Sequence, residues 1–198
     1  MKRVIIVCLA LFGNSPLFAG GVTIGSPVGV YLEFEKPPSD TAINAARNEA
    51  SDIFRSVGIT IAWRLMSENH GDEAFSQLAL VTLTGKCACE GFMEPTFETM
   101  VLGETNVLNG EVQPFIKIRC DAIRQVLTSI EFSPNRRLDD AVLGRAIGRV
   151  LAHELYHVVL ETTHHAASGL AKKFLTAEEL ESPAYSFDKA DWDLYSAK

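Results

Sequence analysis

The sequence predicts an α+β domain in which a mixed sheet, with an N-terminal helix covering it, precedes a buried helix that carries a pair of histidines. Three observations predict this. The chain opens with an alternating apolar stretch, an amphipathic stretch and a second alternating stretch, so that a helix joins two strands. Further strand-like runs follow before residue 120. Residues 149–168 contain no Gly or Pro, and the apolar run around 150–160 covers nearly the whole surface of a helix, which marks it as buried on most sides.

Met1-Lys2-Arg3 and the apolar residues 4–12 form the basic start and short core of a signal peptide, too short to span a bilayer as a helix. Gly13, Asn14, Ser15 and Pro16 break it, and Leu17-Phe18-Ala19-Gly20 offers cleavage after Ala19. Residues 1–19 are therefore expected to be a signal peptide, and residues 20–198 a single exported domain, periplasmic or secreted. Cys8 lacks the small residues that precede a lipid-modified cysteine, so no membrane anchor is expected. Removing 19 of the 198 residues leaves 179, enough for one substantial core. Loss of Lys2 and Arg3 takes the formal net charge from -7 to -9, which argues against nucleic acid or an anionic membrane as partner.

Val28–Phe34 alternates as a first strand, ended by Pro37-Pro38. A helix capped by Ser39 or Asp40 runs to about Val57 and buries Ile43, Ala46, Ala50, Ile53, Phe54 and Val57; Gly58 stops it. Residues 59–65 form the second strand, expected to lie parallel to the first with the helix across one face. After a polar loop at 67–73 comes a third strand at 77–83, then an exposed turn at 84–91. Residues 100–102 and 112–118 are shorter strand candidates on either side of a loop at 103–110. Asp121 opens a helix through Ile123, Val126, Leu127 and Ile130, and Ser133-Pro134-Asn135 interrupts the chain. Asp139 or Asp140 then caps the main helix. Gly144 and Gly148 within it each cost about 1 kcal/mol relative to Ala, so the sheet or another backbone is expected to pass close. Residues 188–198, with Trp192 and Tyr195, lean on the core.

Cys87, Cys89 and Cys120 remain after export, and an odd count predicts one disulfide and one free thiol. Cys87 and Cys89 are too close for an easy bridge, so Cys120 pairs with one of them. A thiolate metal site at this pair is the alternative, although it lacks the usual two-residue spacing.

The chemistry concentrates in His153-Glu154-Leu155-Tyr156-His157. Residues four apart share a helix face, so the two imidazoles can converge on one zinc ion. Glu154 then stands beside the metal, placed to act as general base toward water and general acid toward a leaving amine. Burying two imidazoles and a carboxylate without partners would cost several kcal/mol, a conflict that a metal resolves. His164 and His165 follow closely, and only His70 lies elsewhere. The plainer alternative is a pair of core histidines bonded to backbone, with Glu154 at the helix surface.

Residues 150–159 resemble the active-site helix of the zincin metallopeptidases, and a mixed sheet ahead of that helix is similar to the upper half of a zincin domain. The resemblance implies a zincin-like fold, one catalytic Zn2+, and hydrolysis of a peptide or protein substrate by a monomeric endopeptidase. It also implies an edge strand that pairs with extended substrate, for which residues 100–102 and 112–118 are the candidates. A catalytic zinc needs a third protein ligand and one open position. The metzincin branch would place Gly and His where this chain has Leu160 and Thr163, and Gly169-Leu170-Ala171 supplies no methionine beneath the metal. The chain also resembles exported bacterial proteins in which a similar pentapeptide is followed by Thr-Thr, one variable residue and a histidine. That register selects His165 as the third ligand, with His164 as the alternative. Another zincin branch takes a glutamate from a later helix, which brings in Glu178, Glu179 and Glu181, although Thr176 and Glu179 already read as a capping box. Tyr185 is a candidate phenol for the oxyanion, but such a residue more often packs.

The expected function is thus an exported zinc endopeptidase in which His153, His157 and His165 hold the metal and Glu154 is catalytic. The competing class is a secreted, non-catalytic binding domain whose zinc is structural, closed by both His164 and His165.

Overall fold

The computed structural model describes residues 27–68, 71, 73–90, 101–129 and 138–196. The expected signal peptide, His70, Met100, Ile130 and the break at Ser133-Pro134-Asn135 lie outside them. The architecture is α+β with a five-stranded mixed sheet. Strand β1 (Val28–Phe34) leads to helix α1 (Asp40–Arg55) and strand β2 (Ile61–Leu65), and a short turn of 3-10 helix at Met66–Glu68 follows. Strands β3 (Gln77–Thr84), β4 (Gly103–Leu108) and β5 (Glu111–Arg119) come next, then helices α2 (Cys120–Ser129), α3 (Asp140–Val159), α4 (Ala177–Glu181) and α5 (Lys189–Ser196). The sheet order is β2-β1-β3-β5-β4, parallel throughout except for the antiparallel edge pair of β4 with β5.

Alternation along the strands divides the sheet into two faces. Val28, Val30 and Leu32 of β1, Ala79, Val81 and Leu83 of β3, and Ile116 and Ile118 of β5 join the helices in one core. Leu78 and Phe115, on the opposite face, are exposed. Helix α1 starts where Ser39 Oγ accepts from the Ala42 N–H at 3.1 Å, and Gly58, at φ 83°, turns the chain out of it. Its small residues matter for what packs on top. A Cβ at Gly144 would lie 2.3 Å from the Ala42 carbonyl oxygen, and one at Gly148 2.6 Å from that of Ala46, so α3 lies directly on the α1 backbone. The aromatic rings of Phe54, Phe187 and Trp192 seal the end of this helix pair, with Phe187 and Trp192 centred 4.9 Å apart.

Three expectations are corrected. The stretch at 103–110 is not a loop: Gly103–Leu108 is the edge strand itself, whereas Val101 and Leu102 lie just ahead of it. Asn109 and Gly110, at φ 53° and 86°, make the two-residue turn that folds β4 onto β5. The turn after β3 is not uniformly exposed, because Cys87 is bonded to Cys120 and is buried. Asp121 accepts from the Lys86 N–H and Asp140 from the Cys89 N–H, which pins the turn to α2 and α3. This disulfide also removes the thiolate-site alternative, leaving Cys89 free, with burial and then Asp140 raising its thiol to about 12. Finally, the helix does not continue through the Gly- and Pro-free stretch to residue 168 but ends at Val159, because Glu161 adopts a left-handed conformation at φ 47° and reverses the chain. No helix among the described residues is long and apolar enough to cross a membrane.

Candidate metal centre

Helix α3 holds its inward face rigid from both ends. Asp139 accepts from the Val142 N–H at 2.8 Å, and the Gln77 amide donates to the Val159 carbonyl at 3.0 Å. Midway along it, Arg149 is fully buried and donates to Glu49 Oε1 at 2.6 Å, to the Glu179 carbonyl at 2.6 Å and to the Ser182 carbonyl at 2.8 Å. One side chain therefore fixes α3 to α1 and to the segment around α4. His153, Glu154 and His157 project from the next turns and are each buried.

The reversal at Glu161 does two things for these histidines. It turns the Thr162 carbonyl onto His157 Nδ1, 2.7 Å away, and it brings His165 over both rings, with centroids 5.3 Å from His153 and 4.8 Å from His157. The Leu170 carbonyl meets His153 Nδ1 at 2.8 Å. A carbonyl oxygen only accepts, so in both rings the proton sits on Nδ1 and Nε2 presents a lone pair. Those two Nε2 atoms face each other at 3.3 Å. Two lone pairs so placed repel unless a cation lies between them, and backbone-anchored Nδ1–H groups are the usual support of metal-binding imidazoles. The potential ligand atoms of His153, His157 and His165 all lie within 4.8 Å of one another, close enough to hold a metal ion. Burial lowers the proton affinity of all three; His157 falls to about 4, with His153 adding to the effect. At neutral pH the rings are thus uncharged, the form that binds metal.

Glu154 lies in the same cleft of about 410 Å³, whose walls are largely apolar, with Val107, Val150, Phe174 and Leu175 among them. Burial pushes its carboxyl up to about 7, against the lowering effect of a hydrogen bond from Thr105 Oγ1 to Oε2 at 2.7 Å.

The other sequence candidates fall away from this cluster. His164 is exposed and stands outside it. Glu179 completes a capping box with Thr176 and also binds Lys172 and Tyr185; Glu178 is exposed, and neither it nor Glu181 joins the histidines. Tyr185 donates its one phenolic proton to Glu179 at 2.9 Å and lies 3.1 Å from the Gly169 carbonyl, so its phenol is occupied in packing α4. Sequence reasoning missed Thr105, which reaches the site from β4. The Asn109-Gly110 pair between alternating stretches was the signal that could have placed that strand. Neither a scan of protein-family models nor searches of curated proteins and solved structures finds a match to this chain.

Proposed function

We propose that this protein is an exported, zinc-dependent endopeptidase with a zincin-like fold, in which His153, His157 and His165 hold one zinc ion. The observation that carries the reading is the convergence of three uncharged imidazoles, two of them with facing Nε2 lone pairs, beside a buried carboxylate in one cleft. Zinc bound there would supply Lewis-acid polarisation of a peptide carbonyl and of water. Glu154, adjacent in sequence to the first ligand, takes the proton of the attacking water and returns it to the departing amine. A carboxylate held in the same cleft as the three imidazoles is placed for both steps. The free edge of β4 beside the cleft supports pairing with an extended peptide by strand addition. It takes the part expected of residues 100–102 or 112–118. The disulfide supports an oxidising, extracytoplasmic location.

The non-catalytic alternative needs a fourth protein ligand, and among the described residues His164 does not provide it. Elemental mass spectrometry of residues 20–198 tests the proposal. The parent is expected to hold one zinc, which His153→Ala abolishes and His165→Ala weakens. Glu154→Gln should retain the metal while cleavage of a mixed peptide library, read by mass spectrometry, falls by about a hundredfold or more. A parent chain that takes up no zinc, or a Glu154→Gln chain that cleaves at the parental rate, overturns it.

A further inference from the structure

Glu154 is seated against the edge strand at two points. Thr105 Oγ1 lies 2.7 Å from its Oε2 and 3.1 Å from its main-chain oxygen. Two residues earlier, and so on the same face of β4, a Cβ at Gly103 would come within 2.8 Å of Glu154 Oε1, 2.9 Å of its Cγ and 2.8 Å of Val150 Cγ1. Real side chains do not approach so closely. Glycine at one position admits the carboxylate to the strand, and a hydroxyl at the other fastens it. A hydroxyl has one proton to give, and the nearer, charged carboxylate oxygen is the stronger acceptor.

We propose that Thr105 is the positioning residue for Glu154: its hydroxyl donates to Oε2 and fixes the carboxylate, leaving Oε1 to accept the proton that moves, while Gly103 leaves the room this requires. The role rests on the peptidase reading above. General base catalysis depends on holding the acceptor within hydrogen-bond reach of its proton, and a glutamate side chain left unfastened spends much of its time in other rotamers. It also places the strand that would carry substrate and the group that would act on it in one rigid piece, because Thr105 belongs to the edge strand that lines the cleft.

Thr105→Val keeps the shape and removes the donor, whereas Thr105→Ser keeps the donor and removes a methyl group. Both residues are accommodated in strands. On the zinc-loaded protein, Thr105→Val is expected to lower kcat by about tenfold or more with KM and zinc content unchanged, and Thr105→Ser to restore it. A residue that only packs would give the reverse order. The second readout needs no turnover: isotope-edited infrared spectra assign the Glu154 carboxylate band by its loss in Glu154→Gln. That band should shift in Thr105→Val and hold its place in Thr105→Ser. If neither the band nor kcat moves in Thr105→Val, the positioning role is overturned while peptide hydrolysis by the parent stands. If the band shifts but the parent hydrolyses nothing, the hydrogen bond is real, and the peptidase reading falls together with the catalytic role of Thr105.

Discussion

Burial acts in opposite directions on His157 and Glu154, and the metal-free protein should show the difference. His157 keeps its proton off until about pH 4 in the folded state, whereas an unfolded histidine takes it near 6.5. Between those values the unfolded chain binds more protons, so stability falls as pH falls. Glu154 titrates at about 7 when folded and near 4.5 when unfolded, so in its window the folded chain binds more protons and stability rises as pH falls. From pH 6.5 to 4.5 the two contributions cancel in part. Replacing Glu154 by Gln removes the compensating one. Urea unfolding of chelated protein across this window should show Glu154→Gln losing on the order of 2 kcal/mol more than the parent, because each tenfold difference in proton affinity between the folded and unfolded states is worth about 1.4 kcal/mol. Parallel pH profiles for the two proteins would contradict the assignment. At this scale the histidine pair and its glutamate were legible in sequence, since a helix converts spacing directly into direction. Thr105 was not, because its contact with Glu154 spans 49 residues and follows from which face of β4 meets α3.

Helix α3 is the element on which the others depend, and Arg149 is the point where its connections concentrate. The guanidinium is fully buried among Glu49, two backbone carbonyls and Ser182 Oγ. Removing it leaves those acceptors without their donor, which for a buried ion pair costs about 3–5 kcal/mol. Arg149→Ala should therefore lower the unfolding free energy by that amount in urea melts of the metal-free chain, and a loss under about 1 kcal/mol would show that the network contributes little. The apolar pattern around this arginine identified the helix as buried but said nothing about its partners. Helices α1 and α3 were legible because their periodicity and caps are local. Strand β4 was not, since Gly103, Glu104 and Asn106 have weak strand preference, and pairing with β5 across a tight turn supplies the order. The early end of α3 was likewise hidden: Glu161 adopts a conformation that glycine usually provides, in a position where tertiary contacts of Thr162 and His165 hold it. The choice of Cys87 over Cys89 depended on how β3 and α2 meet.

For the molecule as a whole, metal binding at the proposed site would be coupled to folding, because the third imidazole arrives only when the chain has reversed after α3. A zinc ion that binds the folded state alone adds about 2.7 kcal/mol at a free concentration a hundred times its Kd. For a chain of this size that corresponds to a rise in Tm of roughly 5–10 °C. Calorimetry with zinc and with chelator should show this rise in the parent and not in His157→Ala; equal Tm values in the parent would exclude a metal that supports the fold. The strong alternation and buried helices made the layered α+β arrangement legible, while the order of strands in the sheet was not, since it is set by contacts between distant segments. One further consequence comes from the Cys87–Cys120 bond, which joins residues 33 positions apart. Strands β4 and β5 both fall between its two ends, so the wall of the cleft that faces α3 is part of a covalent ring. A single backbone cut in that interval opens the ring without parting the molecule. If a peptidase of this form nicked its own cleft wall, both fragments would stay bound, and the damaged chain would come apart only in a reducing medium.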